Sequence, residues 1–274
     1  MKIIDSRVRL RTEQLLKIFS DDHTKYYSDY VHLYKMTSRL SPMPVEELIG
    51  VATGHGIEQM MAYGLTAEDN DHLLDLARRF KEIIPVAGIS GGEGIRHALQ
   101  DIQKYCDAGA AAIFISPFNL NCPLNDRLHY PLYGICELAQ KTVIVHGSIH
   151  FWRGAYMWHG QPQYIDEIAV DFPELKIIVS HGGNGFGPSI LAVAQRHPNV
   201  YLEFSALNPA YMAPEFLYAA NTYLKKKCIF GTDYPLADFH VAIGRWKKVL
   251  REDVQELFFY RNVLDALQKG SVSL

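Results

Sequence analysis

His146, His181 and Asp233 each close a short apolar run: Thr-Val-Ile-Val-His146-Gly, Lys-Ile-Ile-Val-Ser-His181-Gly-Gly and Cys-Ile-Phe-Gly-Thr-Asp233-Tyr-Pro. Imidazoles and carboxylates are the groups that move protons near neutral pH or ligate a transition metal. The runs are too short for helices, rich in β-branched residues and bounded by Gly or Pro, so they read as strands. In a parallel α/β protein the C-terminal strand ends share one rim, where ligands and chemistry sit. The three side chains are therefore expected to converge.

Convergence needs parallel strands. Strands are expected over 3–8, 57–63, 84–89, 111–116, 142–146, 176–180, 200–204 and 228–231. Helices are expected over 44–53, 69–81, 95–108, 130–140, 163–171, 188–196, 214–225, 238–250 and 254–268. Eight strand–helix units joined by right-handed crossovers predict a single (β/α)8 TIM barrel, with 1–274 as one domain. The alternative is an open doubly wound sheet, which the lack of a Gly-x-Gly-x-x-Gly turn disfavours. The Ser-Gly-Gly-Glu-Gly stretch at 90–94 reads as a plain strand–helix turn, since it lacks the Gly-Lys-Ser/Thr of a phosphate loop. Two segments stand out as rim insertions. One, 20–41, is polar and tyrosine-rich after the first strand; long loops there tend to be lids. The other, 147–161, carries His150, Trp152, Arg153, Tyr156, Trp158 and His159, a composition suited to a binding wall.

The bulk numbers exclude other classes. With 48% hydrophobic residues among 274, the chain can build a large core. A net charge of −3 with interspersed signs gives no nucleic-acid or anionic-membrane surface. No apolar stretch approaches the roughly 20 residues that span a bilayer, and the start lacks the apolar core of a signal peptide. Cys106, Cys122, Cys136 and Cys228 are scattered and read as buried free thiols. These features predict a cytoplasmic protein. His55, His72, His97, His129, His197 and His240 fall in or beside helices and read as surface or packing residues.

The order of the motifs, Val-His-Gly after strand five, Ser-His-Gly-Gly after strand six and Gly-Thr-Asp-Tyr-Pro after strand eight, resembles the amidohydrolase superfamily. The likeness is to the branch that includes aminocarboxymuconate-semialdehyde decarboxylase and related hydrolases and decarboxylases of small carboxylic acids. Supporting segments are Ile-Ile-Asp5, Leu128 to Tyr133, Phe172 to Leu175, and Arg261-Asn262. The resemblance implies a hydrolase or carbon–carbon lyase acting on a small, carboxylate-bearing, cyclic or aromatic substrate. It also implies a homo-oligomer and a divalent metal, zinc or manganese. In the family, a His-x-His on strand one binds that metal with the strand-five His and the strand-eight Asp, here His146 and Asp233. The strand-six residue, His181, is then an acid–base group or a further ligand.

Strand one departs from the pattern. It reads Asp5-Ser6-Arg7-Val8-Arg9, with arginines at both expected histidines. A guanidinium stays protonated and has no lone pair to offer a cation. Three readings stay open: a metal site rebuilt from His146, His181 and Asp233; a metal-free enzyme; and a catalytically inactive barrel that binds small acids. In the enzyme readings, Asp233 is the general base and His181 polarises a substrate oxygen or transfers a proton. Arg7 and Arg9 hold the substrate carboxylate by forked hydrogen bonds. Arg153 adds an anchor, and Tyr234, Trp152 and Trp158 form walls. His150 and His159 read as wall residues. The bland alternative for the arginines is internal pairing with Asp5 or Asp233, because an unpaired buried charge is costly.

Overall fold

A computed structural model describes residues 1–19, 31–32, 35–89, 94–150 and 154–267. Its eight strands are β1 (Ile3–Val8), β2 (Ile57–Tyr63), β3 (Ile83–Ile89), β4 (Ala112–Ile115), β5 (Thr142–His146), β6 (Ile177–Ser180), β7 (Val200–Glu203) and β8 (Cys228–Ile229). Each pairs in parallel with the next in sequence order. The ring closes where β1 meets the segment after β8. Ser6 N donates to Phe230 O at 3.2 Å, Asp233 N to Arg7 O at 2.9 Å, and Arg9 N to Tyr234 O at 2.8 Å. The fold is the (β/α)8 barrel that the strand–helix alternation predicts.

The barrel is solid. Ile4, Met61, Ile84, Ala112, Ile144, Ile178 and Ile229 point into its centre, with Tyr63 and Phe114 in the same cluster. The last helix, Asn262–Ala266, adds Val263 and Ala266 to this inner core. Thr142 Oγ1 pins that helix by donating to Ala266 O at 2.6 Å. A second, larger core of Leu, Ile, Val and Phe lies between the strands and the surrounding helices. Each such side chain contributes about 1.5–3 kcal/mol on burial. A filled interior leaves the C-terminal mouth as the place for a ligand.

Two elements differ from expectation for one local reason. Strand eight ends at Ile229, two residues early, and the helix expected over 254–268 is broken by a π turn at Leu257–Arg261. Phe230 N donates to Phe258 O at 3.0 Å. That carbonyl is drawn away from the helix, and Asn262 N bonds Leu257 O instead. A one-residue excess in the helical ladder is the result.

Part of the 20–41 insertion can be followed. A short 3-10 turn, Thr37–Arg39, docks on the rim through Arg39, whose Nε donates to Pro235 O at 2.6 Å and Nη2 to Leu236 O at 2.9 Å. Residues 20–30 and 33–34 of that insertion lie outside the described residues. Among the described residues no helix is long and apolar enough to cross a membrane.

Candidate active site

His146 ends β5, His181 follows β6 and Asp233 follows β8, so the barrel brings all three to its mouth. They line one cavity of about 200 Å³ together with Arg7, Arg9, His150 and Tyr234. That volume suits a single-ring molecule rather than a long chain. Two of these residues carry left-handed backbone, His181 at φ 57° and Asp233 at φ 60°. Such conformations cost a non-glycine residue on the order of 1 kcal/mol and collect at functional sites. The hydrogen bond from Asp233 N to Arg7 O holds the Asp233 turn in place.

Arg7 forms the floor. Its Nε donates to Asp233 Oδ1 at 3.0 Å and its Nη1 to Ser180 Oγ at 3.1 Å. The guanidinium lies 4.5 Å from the Tyr63 ring centroid and 4.9 Å from that of Phe114, within cation–π range. Its side chain is 12% exposed, enough to meet a ligand in the cavity. β1 shifts register between Asp5 and Val8, a bulge of the kind that re-aims side chains beside active sites. Of the two carboxylates that the sequence offers Arg7, Asp233 takes the guanidinium. Asp5 instead accepts Thr232 Oγ1 at 2.6 Å, Thr232 N at 2.9 Å and Arg7 N at 3.1 Å. Asp5 is fully buried, and burial pushes its carboxyl up to about 7 against those hydrogen bonds.

His146 packs against both of the other cavity histidines. The His146 ring centroid is 4.7 Å from that of His181 and 4.8 Å from that of His150, and Phe118 packs against His146 and His150. Burial, then the charge of Arg7, pulls His181 down to about 4. Burial, with His181 and Arg7, pulls His150 to about 4, and burial, with His181 and His150, holds His146 well below the ordinary histidine value. Each shift favours the neutral imidazole, which offers one lone pair and one N–H.

The sequence reading missed Glu203, the last residue of β7. It is fully buried, and burial lifts its carboxyl to about 7. An acidic residue inside Val-Tyr-Leu-Glu-Phe was the available signal. The barrel makes room for it: a Cβ on Gly231 would lie 2.3 Å from Glu203 Oε1 and 2.8 Å from Ser6 Oγ. Gly231→Ala is expected to cost about 1–3 kcal/mol by overpacking, read as a lower denaturant midpoint with unchanged slope. An unchanged midpoint would mean that Glu203 has space to yield.

The other expected site residues separate. Tyr234 is a wall residue, stacked on Phe239 at 4.3 Å with its hydroxyl accepting from Arg11 Nη1 at 3.2 Å. Trp158 is 54% exposed and is not among the described residues lining the cavity. His159 contacts Asn121 Oδ1 at 3.2 Å and is likewise off the wall. Trp152 and Arg153 lie outside the described residues. His129, expected at the surface or in packing, is a core residue whose Nδ1 lies 3.0 Å from Pro123 O.

The side chains present do not fit a divalent cation. Among the described residues no group of three or more His, Cys, Asp or Glu is placed to hold one. The carboxylate that a metal would need is already hydrogen-bonded to a guanidinium, and a fixed positive charge beside the histidines repels a second cation.

The sequence matches the amidohydrolase family over residues 15–266. No curated protein matches it. Among solved structures, it is similar to an uncharacterized TIM-barrel protein from Bordetella bronchiseptica (24% identity, TM-score 0.80, covering 98% of this chain and 99% of that one). It is also similar to 2,6-dihydroxybenzoate decarboxylase from Rhizobium (13% identity, TM-score 0.71, 98% and 99% covered). A third is 5-carboxyvanillate decarboxylase from Novosphingobium aromaticivorans, complexed with manganese and a nitrobenzoic acid (14% identity, TM-score 0.71, 97% and 96% covered).

Proposed function

Because this chain belongs to the amidohydrolase family, we propose that it is an enzyme of small carboxylate-bearing, cyclic or aromatic compounds, in which Arg7 supplies the positive charge that a metal ion would otherwise bring. The reaction is hydrolysis or non-oxidative carbon–carbon cleavage such as decarboxylation. One observation carries the reading: the Arg7 guanidinium at the cavity floor, bonded to Asp233 and Ser180 and lying over two aromatic rings. Those two bonds use two of its five N–H donors. The Tyr63 hydroxyl is a further partner, and the donors that remain suit a substrate carboxylate, with Arg9 on the same wall adding a second charge.

In this reading Asp233, 29% exposed, is the general base for water or for a substrate hydroxyl. His181 gives or takes the proton at the reacting carbon or oxygen, and neutral His146 beside it completes the proton-transfer set. Trp152 and Arg153 are assigned to the wall and the anchor from their place in the 147–161 insertion. The manganese complex of the carboxyvanillate decarboxylase illustrates the cationic alternative that Arg7 replaces.

The test joins binding to elemental analysis. Purified wild type is expected to contain far less than one equivalent of zinc or manganese, and to bind benzoate or 2,6-dihydroxybenzoate in calorimetry. Arg7→Ala is expected to weaken that binding by about 10–100-fold, the value of one or two charge-assisted hydrogen bonds. One equivalent of metal in the wild type, lost in Asp233→Ala, would overturn the metal-free assignment and favour a site rebuilt on His146, His181 and Asp233. A second reading, a barrel that binds small acids without turning them over, draws support from the same Arg7–Asp233 pair, because an internal ion pair also satisfies a binding protein.

A further inference from the structure

Glu203 and Ser205 have no part in the chemistry assigned so far, yet the barrel is built around them. Strand residues Val200–Glu203 are all buried. A carboxylate in such a strand costs several kcal/mol unless hydrogen bonds compensate it. Glu203 receives Ser205 N at 2.6 Å on Oε1, Ser205 Oγ at 3.0 Å on Oε2, and more distantly His181 N at 3.4 Å. Gly231 leaves the space that its head group fills. Charges facing it come from Arg7, Asp5 and Asp233 across the barrel mouth.

The same serine reaches His181. Ser205 Oγ lies 3.0 Å from His181 Nδ1, and Ser205 O lies 3.2 Å from it. A peptide carbonyl only accepts, so Nδ1 is the protonated ring nitrogen. The serine hydroxyl then accepts from Nδ1–H, and its single hydrogen goes to Glu203 Oε2. The Nδ1–H is shared between the Ser205 carbonyl and hydroxyl oxygens, the hydroxyl hydrogen has one acceptor, and the carboxylate at the end fixes the direction. The nitrogen left over on His181, Nε2, keeps its lone pair in a residue that lines the cavity.

We propose that Glu203 is a positioning residue that acts through Ser205 to hold His181 in the Nδ1–H tautomer, so that Nε2 is the atom that takes the proton in the reaction. This deepens the functional reading above and rests on it only for the identity of the proton's source. The orientation device itself is a property of the free protein.

The experiment is long-range 1H–15N correlation spectroscopy on protein labelled at histidine nitrogens, with His181 assigned by its loss in His181→Gln. Wild type is expected to show His181 as a single Nδ1–H tautomer at pH 7.5. In Glu203→Gln, the amide oxygen is held by Ser205 N–H, so its NH2 faces Ser205 Oγ and donates to it. The hydroxyl hydrogen must then turn toward Nδ1, and the Nε2–H tautomer is expected to become a major species. Ser205→Ala leaves Glu203 in place and removes the link; its Nδ1–H proton is expected to exchange with water at least about ten times faster as one of its two acceptors is lost. If Glu203→Gln does not fold, Ser205→Ala decides. An Nε2–H tautomer in wild type, or an unchanged His181 in the folded variants, would overturn the proposal. Benzoate titrated into the same samples separates the two ideas: failure to bind in every sample counts against the carboxylate-enzyme reading, whereas intact binding with an altered His181 tautomer supports the positioning role.

Discussion

Asp233→Asn is expected to lower turnover by about 10²–10⁴-fold, the usual worth of a positioned acid–base group, while leaving the barrel folded. Asparagine has the same shape, and it is among the residues that tolerate the left-handed backbone at φ 60°. The turn survives, because Asp233 N still reaches Arg7 O and the amide oxygen can still accept from Arg7 Nε. What goes is the negative charge. The site loses the base proposed for it, and Arg7 loses the anion that neutralises it, at a cost of about 1–3 kcal/mol in stability. The assay follows decarboxylation or hydrolysis of aromatic acids, esters and lactones, with a thermal melt on the same samples. Undiminished turnover in the variant would remove Asp233 from the mechanism. Carboxylate binding without turnover in either protein would favour the binding-protein reading. The freed Arg7 has a second consequence: a substrate carboxylate can bind more tightly to the variant even as it reacts more slowly, so KM and kcat should fall together.

The barrel was readable because its signals are local and repeated. Most of the strands are short apolar runs, several of them rich in β-branched residues, and they alternate with helices that have their own start and stop residues; eight such units leave few topologies. His146, His181 and Asp233 were readable for a related reason, since a polar group that ends an apolar strand has one rim to occupy. Glu203 was not, although it ends β7 in the same way. Its neighbours, Tyr201 and Leu202 before it and Phe204 after it, made the segment look like an ordinary core strand with one odd residue. Nothing in the chain next to it reveals that Gly231, almost thirty residues on, vacates the space for its head group. The partner of Arg7 was equally beyond the sequence. Asp5 is two residues away and Asp233 more than two hundred, and only ring closure puts the distant one against the guanidinium. The π turn at Leu257–Arg261 has the same origin, in a carbonyl claimed by Phe230 of the neighbouring strand end.

Arg7→His with Arg9→His is expected to give the protein a metal site that the wild type does not have. The double substitution restores the strand-one His-x-His of the family, beside His146 and Asp233. It removes two fixed positive charges and supplies two imidazoles, which brings the donor set to the four that zinc takes in tetrahedral sites. It also frees the Asp233 carboxylate from the guanidinium that now holds it. Without metal, the variant should be less stable than wild type, because Asp233 and the Tyr63 and Phe114 faces lose their cation. With zinc or manganese, stability should recover as RT ln(1 + [M]/Kd), about 2.7 kcal/mol at a hundredfold excess over Kd. Melting curves with and without metal read this directly, and elemental analysis counts the equivalents. Wild type should show no metal-dependent shift. A variant that folds and binds no metal would mean that the loss of affinity lies in the arrangement of His146, His181 and Asp233 rather than in the arginines. A variant that gains about one equivalent would show that two codons on strand one separate a guanidinium-centred site from a metal-centred one, and that the remainder of the mouth still accommodates either cation.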